Sequence, residues 1–419
     1  MTVPSPPRIA LFGLLGSGNI GNDGSFEAVL AHLREHHPDA ELTCVCTGPD
    51  VVEKRYGVRA IPMHTHPPGA VHRSRVTAAV LKSLGKAADA FRTLRWVRRH
   101  DVVLVPGMGV LETNLPQRPW GFPYALLLVT ATGRLMGTKV ALVSVGVSPT
   151  RQPVTKRVLA TAARFATARS YRDILSRDAL REMGVDTSGD TVCPDLAFAL
   201  PVPRVRTPAP TRTVGLGVMA YHGNHADRHV ADDIHRAYVG ALQRFAERLV
   251  DDGYRLRLFT GDPADESVSA AVVAYLRERR PDLDDDRVVA TPPSSLGELM
   301  EAMSDVDVVV ASRYHNVLCA LKLGKPTISI SYAEKNDVLM AQFGLGDYCQ
   351  PLRDLDLDRL TAQFTSLVDR REELARGMRR QSVTNARLVG EHLAALSTRL
   401  FAGTSTSARP SAGSRPRAG

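Results

Sequence analysis

Residues 312–315 (Ser-Arg-Tyr-His) carry the side chains best suited to binding a small anion. They follow an apolar run, 306–311, that predicts a buried strand, and they precede a helical pattern over 316–322 that ends before Gly324. In open α/β sheets, ligands bind outside the carboxyl ends of the strands, and the first N–H groups of the next helix point to the same place. This junction therefore predicts a site for phosphate or carboxylate.

Arg313 is the residue of this stretch that a purely structural role explains least. Ser312 is explained as a helix cap and His315 as a packed histidine, but an arginine buried at a strand end is costly without an anionic partner. Arg313 and His315 are therefore candidate ligands of the anion. Lys335 follows the next predicted strand, 327–331, and reaches the same edge, although a solvated lysine explains it equally well.

A glycine-rich loop follows the first predicted strand, 8–13, and opens the first helix, expected over about 24–36. Its glycine spacing approaches the dinucleotide-binding fingerprint. The acidic residue expected about 20 residues further on is absent, and 46–48 (Cys-Thr-Gly) stands there instead, which disfavours NAD. A tight turn explains two of the glycines, but we expect the polar side chains to point into a cleft. The candidates are Gly18, Asn19, Gly21 and Asn22, with Asp23 as an acid–base group.

Three other predicted strand ends carry candidate groups. Gly107 and Gly109 allow a ligand close to the backbone, and Glu112 behind them is either an acid–base group or a solvated loop residue. Arg172 is either a further cation of the site or half of a surface ion pair. Asp195 is either a functional carboxylate or a helix N-cap, which is the usual role of aspartate at such a position.

The elements that must position these groups alternate between apolar runs and amphipathic helices, which predicts parallel sheets covered by helices. The pattern stops at a proline-rich stretch and then restarts, so we predict two doubly wound, Rossmann-like α/β domains that face a cleft. The predicted segments are a flexible N-terminus 1–7, an N-terminal α/β domain 8–200, a linker 201–212, a C-terminal α/β domain with terminal helices 213–402, and a disordered tail 403–419.

The chain has 419 residues and a formal net charge of +9. Because much of the excess lies in the segment 50–100 and in the tail, binding to nucleic acid is not expected. The five cysteines are scattered and no metal-ligand spacing occurs, so we expect reduced, structural thiols and no metal. No apolar run spans a bilayer and no leader is recognised, which predicts a cytoplasmic protein.

The segment 71–99 predicts a basic amphipathic helix. Its apolar stripe consists of Val76, Val80, Leu84, Ala87, Phe91 and Leu94. Such a helix either packs its stripe on its own domain or lies on an anionic membrane as a peripheral contact.

Taken together, these motifs resemble the polysaccharide pyruvyl transferase family over about 8–345. Residues 312–315 are the most specific of them, because the Arg-x-His pair follows a hydrophobic strand. The other matching elements are Gly18 to Gly21, Gly107 with Gly109, 144–149, 169–173 through Ser176, 195–198, and Tyr332 with Lys335. One departure is that Asn22 precedes Asp23 where an acid often follows the glycine directly, which puts the role of Asp23 in doubt.

The resemblance implies a GT-B-like architecture and transfer of the enolpyruvyl group of phosphoenolpyruvate to a sugar of a polysaccharide or glycan precursor. The product is a pyruvate ketal, phosphate is released, and no cofactor is needed. Arg313, His315 and Arg172 would hold phosphoenolpyruvate, since arginine binds phosphate and carboxylate bidentately. His315 is the candidate general acid.

The candidate general base of the same reaction is Glu112, Asp23 or Asp195.

Two other functions remain as alternatives to pyruvyl transfer. One is a nucleotide-sugar glycosyltransferase of the same fold, and the other is a non-catalytic scaffold in membrane-associated glycan assembly. The acceptor that the resemblance implies is a sugar or a lipid-linked glycan. It would enter on the first domain, the acceptor side, at loops that contain Gly18, Asn19, Gly21, Asn22, Gly107 and Gly109, with the donor on the second domain. The sequence identifies neither the acceptor sugar nor the oligomeric state.

Overall fold

A computed structural model describes residues 6–64, 75–109, 111, 119–150, 152–203, 212–223 and 227–402. Side chains of 75–82 lie outside this description. So do almost all of the predicted N-terminus, most of the predicted linker and the whole predicted tail.

The first domain contains a seven-stranded parallel sheet with the order β3-β2-β1-β4-β5-β6-β7. Its strands are β1 (Arg8–Gly13), β2 (Glu41–Cys46), β3 (Arg59–Pro62), β4 (Val102–Pro106), β5 (Lys139–Val145), β6 (Ala168–Tyr171) and β7 (Thr191–Val192). The helices between them are α1 (Ile20–His36), α2 (Pro49–Tyr56), α3 (Arg75–Val97), α4 (Phe122–Met136), α5 (Pro153–Phe165) and α6 (Ile174–Glu182). The central strands β1 and β4 are almost wholly buried, as expected for a parallel sheet covered on both faces.

The second domain repeats this design with six parallel strands in the order β10-β9-β8-β11-β12-β13. The strands are β8 (Thr213–Gly217), β9 (Arg255–Phe259), β10 (Val288–Thr291), β11 (Val308–Ala311), β12 (Thr327–Ser331) and β13 (Cys349–Pro351). Its helices are α7 (Ala231–Asp251), α8 (Glu266–Arg279), α9 (Leu296–Ser304), α10 (Tyr314–Lys322), α11 (Glu334–Gln342), α12 (Leu357–Asp369) and α13 (Arg371–Phe401). The predicted pair of doubly wound domains is confirmed.

In each sheet the strand order reverses at one point, between β1 and β4 and between β8 and β11. Doubly wound folds bind ligands at such a switch point, outside the carboxyl ends of the strands. The glycine-rich loop after β1 and residues 312–315 after β11 occupy these two places. The topology therefore brings both sequence motifs to the edges from which the domains meet.

The last helix, α13, contacts both domains. It packs on α10 and α12 of the second domain and then crosses to the first. There His392 Nε2 lies 2.8 Å from Ser170 Oγ, and Ser397 Oγ lies 2.9 Å from His32 Nε2. Periodicity predicted this helix but not that it spans the two sheets.

One predicted helix boundary was wrong, and for α3 the described residues disfavour one of the two alternatives that the sequence left open. Helix α1 begins at Ile20, four residues earlier than predicted, because Asn19 caps it by accepting from the Asn22 N–H. In α3 the described part of the predicted stripe does not pack on its own domain, since Leu84 and Phe91 are 61% and 68% exposed. The helix instead buries Asp89, whose carboxylate pairs with Lys86, Arg92 and His64.

Candidate functional site

Ser312 holds the strand-to-helix junction together. Its N–H donates to Gly217 O at 2.9 Å, and its hydroxyl lies 2.7 Å from the hydroxyl of Tyr238. Arg313, not Ser312, stands at the N-cap position of α10, so the expected serine cap is not formed. Ser312 is fully buried and serves the junction rather than the ligand edge.

Arg313 has an anionic partner within its own domain. Its Nε and Nη2 donate to the two carboxylate oxygens of Asp265 at 2.8 and 2.6 Å, and Asp265 is fully buried. Burial alone lowers the pKa of Arg313, but the bonds and charge of Asp265 outweigh burial and raise it. The reason for assigning Arg313 to a substrate anion, the lack of a protein partner, therefore does not hold. Its assignment to phosphoenolpyruvate stays a prediction.

His315 points from the start of α10 into the first domain. Its ring lies directly on Gly21, where a Cβ atom would stand 2.0 Å from Nδ1. Its Nε2 lies 3.8 Å from Asp195 Oδ2. A residue of the second domain is thus held between the first helix and a carboxylate of the first domain.

Asp195 forms the N-cap that its position suggested, and its role as a functional carboxylate stays a prediction. Its Oδ1 accepts from the Ala197 N–H at 3.0 Å and caps the short 3-10 helix Leu196–Ala199. Its Oδ2 is directed away from the cap, toward His315 and toward Arg172, whose Nη1 lies 3.6 Å away. The cap fixes the carboxylate so that one oxygen faces the His315 ring and the Arg172 guanidinium.

Arg172 and Lys335 both lie at the ring of Tyr314, and they line one small space together with Asp195. Arg172 is buried at the end of β6, and its guanidinium carbon lies 4.6 Å from the centre of the Tyr314 ring. The Lys335 ammonium lies 5.7 Å from the same ring and 5.1 Å from the ring of Tyr332. Aromatic rings attract cations in this way and so hold two like charges close together.

The enclosed space at this cluster is small. Lined by both domains, it measures about 10 Å³, room for about one water molecule. In the described conformation this space has no room for a ligand as large as a three-carbon phosphate ester.

Of the two other candidate acid–base groups, one lies in the glycine-rich turn and one lies outside the described residues. Asp23 accepts from the Gly16 N–H at 2.8 Å and stabilises the glycine-rich turn. Burial raises the pKa of Asp23, while the Gly16 bond and the charge of Arg55 oppose that rise. Glu112 lies outside the described residues. Of the three predicted bases, Asp195 is the one that the described structure brings to His315.

The predicted acceptor loops face the second domain at close range. Asn19 Nδ2 lies 3.4 Å from Asp262 Oδ2, and the Ile20 N–H donates to Gly261 O at 3.3 Å. A Cβ on Gly18 would stand 2.9 Å from Pro263. Asn22 does not point into a cleft, because its amide donates to Leu14 O inside the turn.

Gly107 and Gly109, the glycine pair after β4, are not described in contact with the second domain, unlike Gly18 and Asn19. Gly107 has φ +43° and packs on Ser25 within its own domain, where a Cβ would stand 2.4 Å from Oγ. Gly109 ends the described part of that loop.

The sequence did not assign roles to two residues that organise the cluster. The Tyr314 ring contacts both Arg172 and Lys335, and Asp265 binds Arg313. The position of Tyr314 between Arg313 and His315 in the sequence could have indicated its role. Nothing in the sequence pointed to Asp265, because it follows a different strand.

Within the described residues, no group of three or more His, Cys, Asp or Glu side chains is placed to hold a metal ion. No helix of the described structure is long and apolar enough to cross a membrane.

Solved structures with the same fold are UDP-N-acetylglucosamine 2-epimerases and a related protein. The enzyme from Neisseria meningitidis, bound to UDP-GlcNAc, is 9% identical with a TM-score of 0.60, over 94% of this chain and 100% of that one. A putative epimerase from Listeria monocytogenes is 12% identical with a TM-score of 0.59, over 94% and 96%. Anabaena HepE in complex with UDP is 12% identical with a TM-score of 0.59, over 94% and 100%. These likenesses establish the GT-B-like fold alone.

No curated protein matches the sequence. The sequence profile of the polysaccharide pyruvyl transferase family, in contrast, matches residues 19–334, about three quarters of the chain. The match runs from the cap of α1 to the first residue of α11, and so includes Asp195, Arg172 and residues 312–315. The chain therefore belongs to the polysaccharide pyruvyl transferase family.

Proposed function

We propose that this protein transfers the enolpyruvyl group of phosphoenolpyruvate to a sugar of a polysaccharide or glycan precursor, with release of phosphate. The observation that carries the proposal is the meeting of Arg172, His315 and Lys335, contributed by both domains, around Tyr314 and Asp195. Phosphoenolpyruvate carries a phosphate and a carboxylate, so its site needs several cationic groups. The reaction requires it as co-substrate and no further cofactor.

The reaction balances without an oxidant or reductant. A proton adds to the methylene carbon, a sugar hydroxyl oxygen bonds to C2, and that hydroxyl gives up its proton. A second hydroxyl then bonds to C2 as the C2–O bond to phosphate breaks, and its proton leaves with the phosphate. The products are a cyclic ketal bearing a methyl group and inorganic phosphate.

His315 is the general acid in this proposal, and Asp195 orients and stabilises its protonated ring. The 3.8 Å separation of Nε2 from Oδ2 is longer than a hydrogen bond, and it tightens when substrate is bound. Arg172 and Lys335 bind the anionic groups of phosphoenolpyruvate. Arg313, anchored by Asp265, supports the junction that presents His315.

A nucleotide-sugar glycosyltransferase is the alternative reaction, and UDP in structurally similar proteins does not decide between them. The contact between the domains obstructs either donor in the described conformation, and it obstructs a nucleotide, the larger of the two, more than phosphoenolpyruvate. The loops after β9 and β10 lie against the first domain, with Asn19 on Asp262 and Arg55 donating to Ser294 O at 2.6 Å. A nucleotide at this edge would have to displace those contacts. A non-catalytic scaffold would not require the cationic cluster.

The deciding experiment measures phosphate release from phosphoenolpyruvate with sugar acceptors, together with the mass spectrum of the product. We expect phosphate and a sugar that has gained one pyruvyl ketal. Turnover with a UDP- or GDP-sugar and none with phosphoenolpyruvate would replace this proposal by the glycosyltransferase. No turnover with either donor, in a folded protein, would favour the scaffold.

In the same proposal the enzyme works at the cytoplasmic face of a membrane, on a lipid-linked acceptor. Support comes from α3, which presents Leu84 and Phe91 to solvent beside the exposed Arg95, Arg98 and Arg99. Trp120, 61% exposed, packs on Tyr124, whose ring contacts Lys86 of the same helix. An apolar strip edged by cations fits an anionic bilayer surface.

Co-sedimentation with anionic and with neutral phosphatidylcholine vesicles tests the membrane contact. We expect recovery with anionic vesicles only, and a loss of recovery in Leu84→Ser/Phe91→Ser. The matched control is Val383→Ser, which changes a similarly exposed side chain on α13. Equal recovery with and without anionic vesicles would remove this part of the proposal.

A further inference from the structure

A second, larger cleft opens in the second domain next to the cationic cluster. It measures about 320 Å³ and lies outside the carboxyl ends of β12 and β13, at Ser331 and Pro351. Its walls are Tyr221, residues 331–334 with Asp337, and residues 349–354. We call it the tyrosine cleft. Its volume is at the lower end of the range for small-ligand sites, about 300–1,000 Å³, and is sufficient for a sugar ring.

Two aromatic rings line one side of the tyrosine cleft. The centres of the Tyr221 and Tyr332 rings are 6.2 Å apart, and the ring planes are inclined at 52°. Tyrosine offers an apolar face with a polar tip. Such a face packs against the C–H groups of a pyranose, and the hydroxyl at the tip reaches the sugar's own hydroxyls.

The remaining polar groups of the cleft are predominantly acidic. Glu334, Asp337 and Asp354 line it, and no ion pair involves them among the described residues. Arg353, the cation in the lining, pairs with Asp227. Carboxylates accept hydrogen bonds from hydroxyl groups but repel phosphates and carboxylates. The cleft therefore suits a neutral polyhydroxylated ligand and disfavours phosphoenolpyruvate or a nucleotide.

The tyrosine cleft and the cationic cluster share one boundary. Tyr332 lines the cleft and holds the Lys335 ammonium 5.1 Å from its ring centre, while that ammonium lies 5.7 Å from Tyr314. A ligand on Tyr332 is thus one side chain away from the residues that surround Asp195. The two sites have opposite charge character, which fits a neutral acceptor beside an anionic donor.

We infer that the tyrosine cleft binds a neutral sugar residue of the acceptor glycan. That this sugar is an acceptor rests on the proposed pyruvyl transfer, but the sugar binding does not. The inference assigns the acceptor to the second domain, whereas the sequence assigned it to the first. The first domain's loops at Gly18 and Asn19 are in contact with Pro263 and Asp262.

Saturation-transfer NMR on the full chain tests the binding directly. The ligands are the methyl glycosides of glucose, galactose, mannose, N-acetylglucosamine and N-acetylmannosamine, with methyl glucuronide as the anionic counterpart. We expect at least one neutral glycoside to bind in the millimolar range and the glucuronide to bind at least several-fold more weakly. Absence of binding by every neutral glycoside, or preferred binding of the glucuronide, would overturn the inference.

Variants locate the binding. Tyr221→Ala removes one ring, and Glu334→Gln/Asp354→Asn removes two charges at exposed positions where folding is not at risk. Each is expected to weaken neutral-glycoside binding about tenfold or more, and the matched control Tyr275→Ala, a tyrosine of α8 outside the cleft, is expected to leave it unchanged. Binding that survives both cleft variants would overturn the inference.

Phosphate release separates this inference from the proposed function. If phosphoenolpyruvate is consumed but the cleft variants leave the acceptor KM unchanged, the cleft assignment fails and pyruvyl transfer stands. If no phosphate is released but glycoside binding is lost in the cleft variants, the sugar site stands and the reaction must be reassigned.

Discussion

Replacing Gly21 by alanine is expected to displace His315 without damaging the fold. The added Cβ would stand 2.0, 2.4 and 2.6 Å from Nδ1, Cε1 and Cγ of the His315 ring. Carbon atoms make favourable contact at about 3.5–4.0 Å, so the ring or the domain that carries it must move by roughly 1.5 Å. Gly21 is the second residue of α1, so alanine there brings at most part of the advantage of about 1 kcal/mol that it has over glycine in a helix interior.

The expected cost falls on the reaction. A misplacement of about 1 Å costs on the order of 100-fold in rate, or about 2.7 kcal/mol of transition-state stabilisation. The displacement also changes the separation of His315 Nε2 from Asp195 Oδ2, which is now 3.8 Å. Gly21→Ala should therefore lower kcat/KM for phosphate release about 100-fold, while the midpoint of thermal unfolding is unchanged or higher.

Gly24→Ala is the matched control. It lies on the same helix and also faces the second domain, but its Cβ would meet the flexible Leu296 side chain, 2.2 Å from Cδ1. We expect a loss of less than tenfold. An equal loss in both variants would mean that separation of the domains, not displacement of His315, is responsible. Full activity of Gly21→Ala would refute the reasoning about His315.

Three further results are expected. Arg313→Ala leaves the Asp265 carboxylate buried without its cation. It should lower the free energy of unfolding in urea by about 3–5 kcal/mol. Weaker binding of phosphoenolpyruvate at unchanged stability would instead make Arg313 a substrate ligand. Arg172→Lys keeps the charge but loses the planar guanidinium that binds an anion through two N–H groups. It should raise the KM for phosphoenolpyruvate at least tenfold and leave the KM for the sugar acceptor unchanged. A raised KM for the acceptor alone would contradict the assignment of Arg172 to phosphoenolpyruvate. Burial lowers the pKa of Lys322 to about 8, below its ordinary 10.5. From pH 8 to 10 the unfolded chain therefore binds more protons than the folded chain. Over this range the free energy of unfolding of the wild type should rise by up to about 3 kcal/mol relative to that of Lys322→Met. A constant difference between the two proteins would contradict the lowered pKa.

Residues 312–315 illustrate how far sequence reasoning reaches in this protein. The apolar run before them and the helical pattern after them identified the strand-to-helix junction, and the fold places that junction at a switch point. The argument for Arg313 failed because its partner, Asp265, follows another strand, and spacing along the chain does not reveal which strand ends are neighbours. For a related reason the sequence left open whether the apolar stripe of α3 packs on its own domain, since periodicity defines a face of a helix but not what covers it.

The sequence by itself determined the two doubly wound domains, the places where ligand-binding loops begin, and the residue types available there. These follow from local rules, because strand burial, helix periodicity and glycine turns depend on neighbours along the chain. Only the tertiary structure decided that His315 rests on Gly21, that Asp195 faces Arg172, and that a cleft lined by Tyr221 adjoins them. The contact of His315 with Gly21 exists only where the two domains meet, and the other two depend on which strand ends are neighbours within one domain.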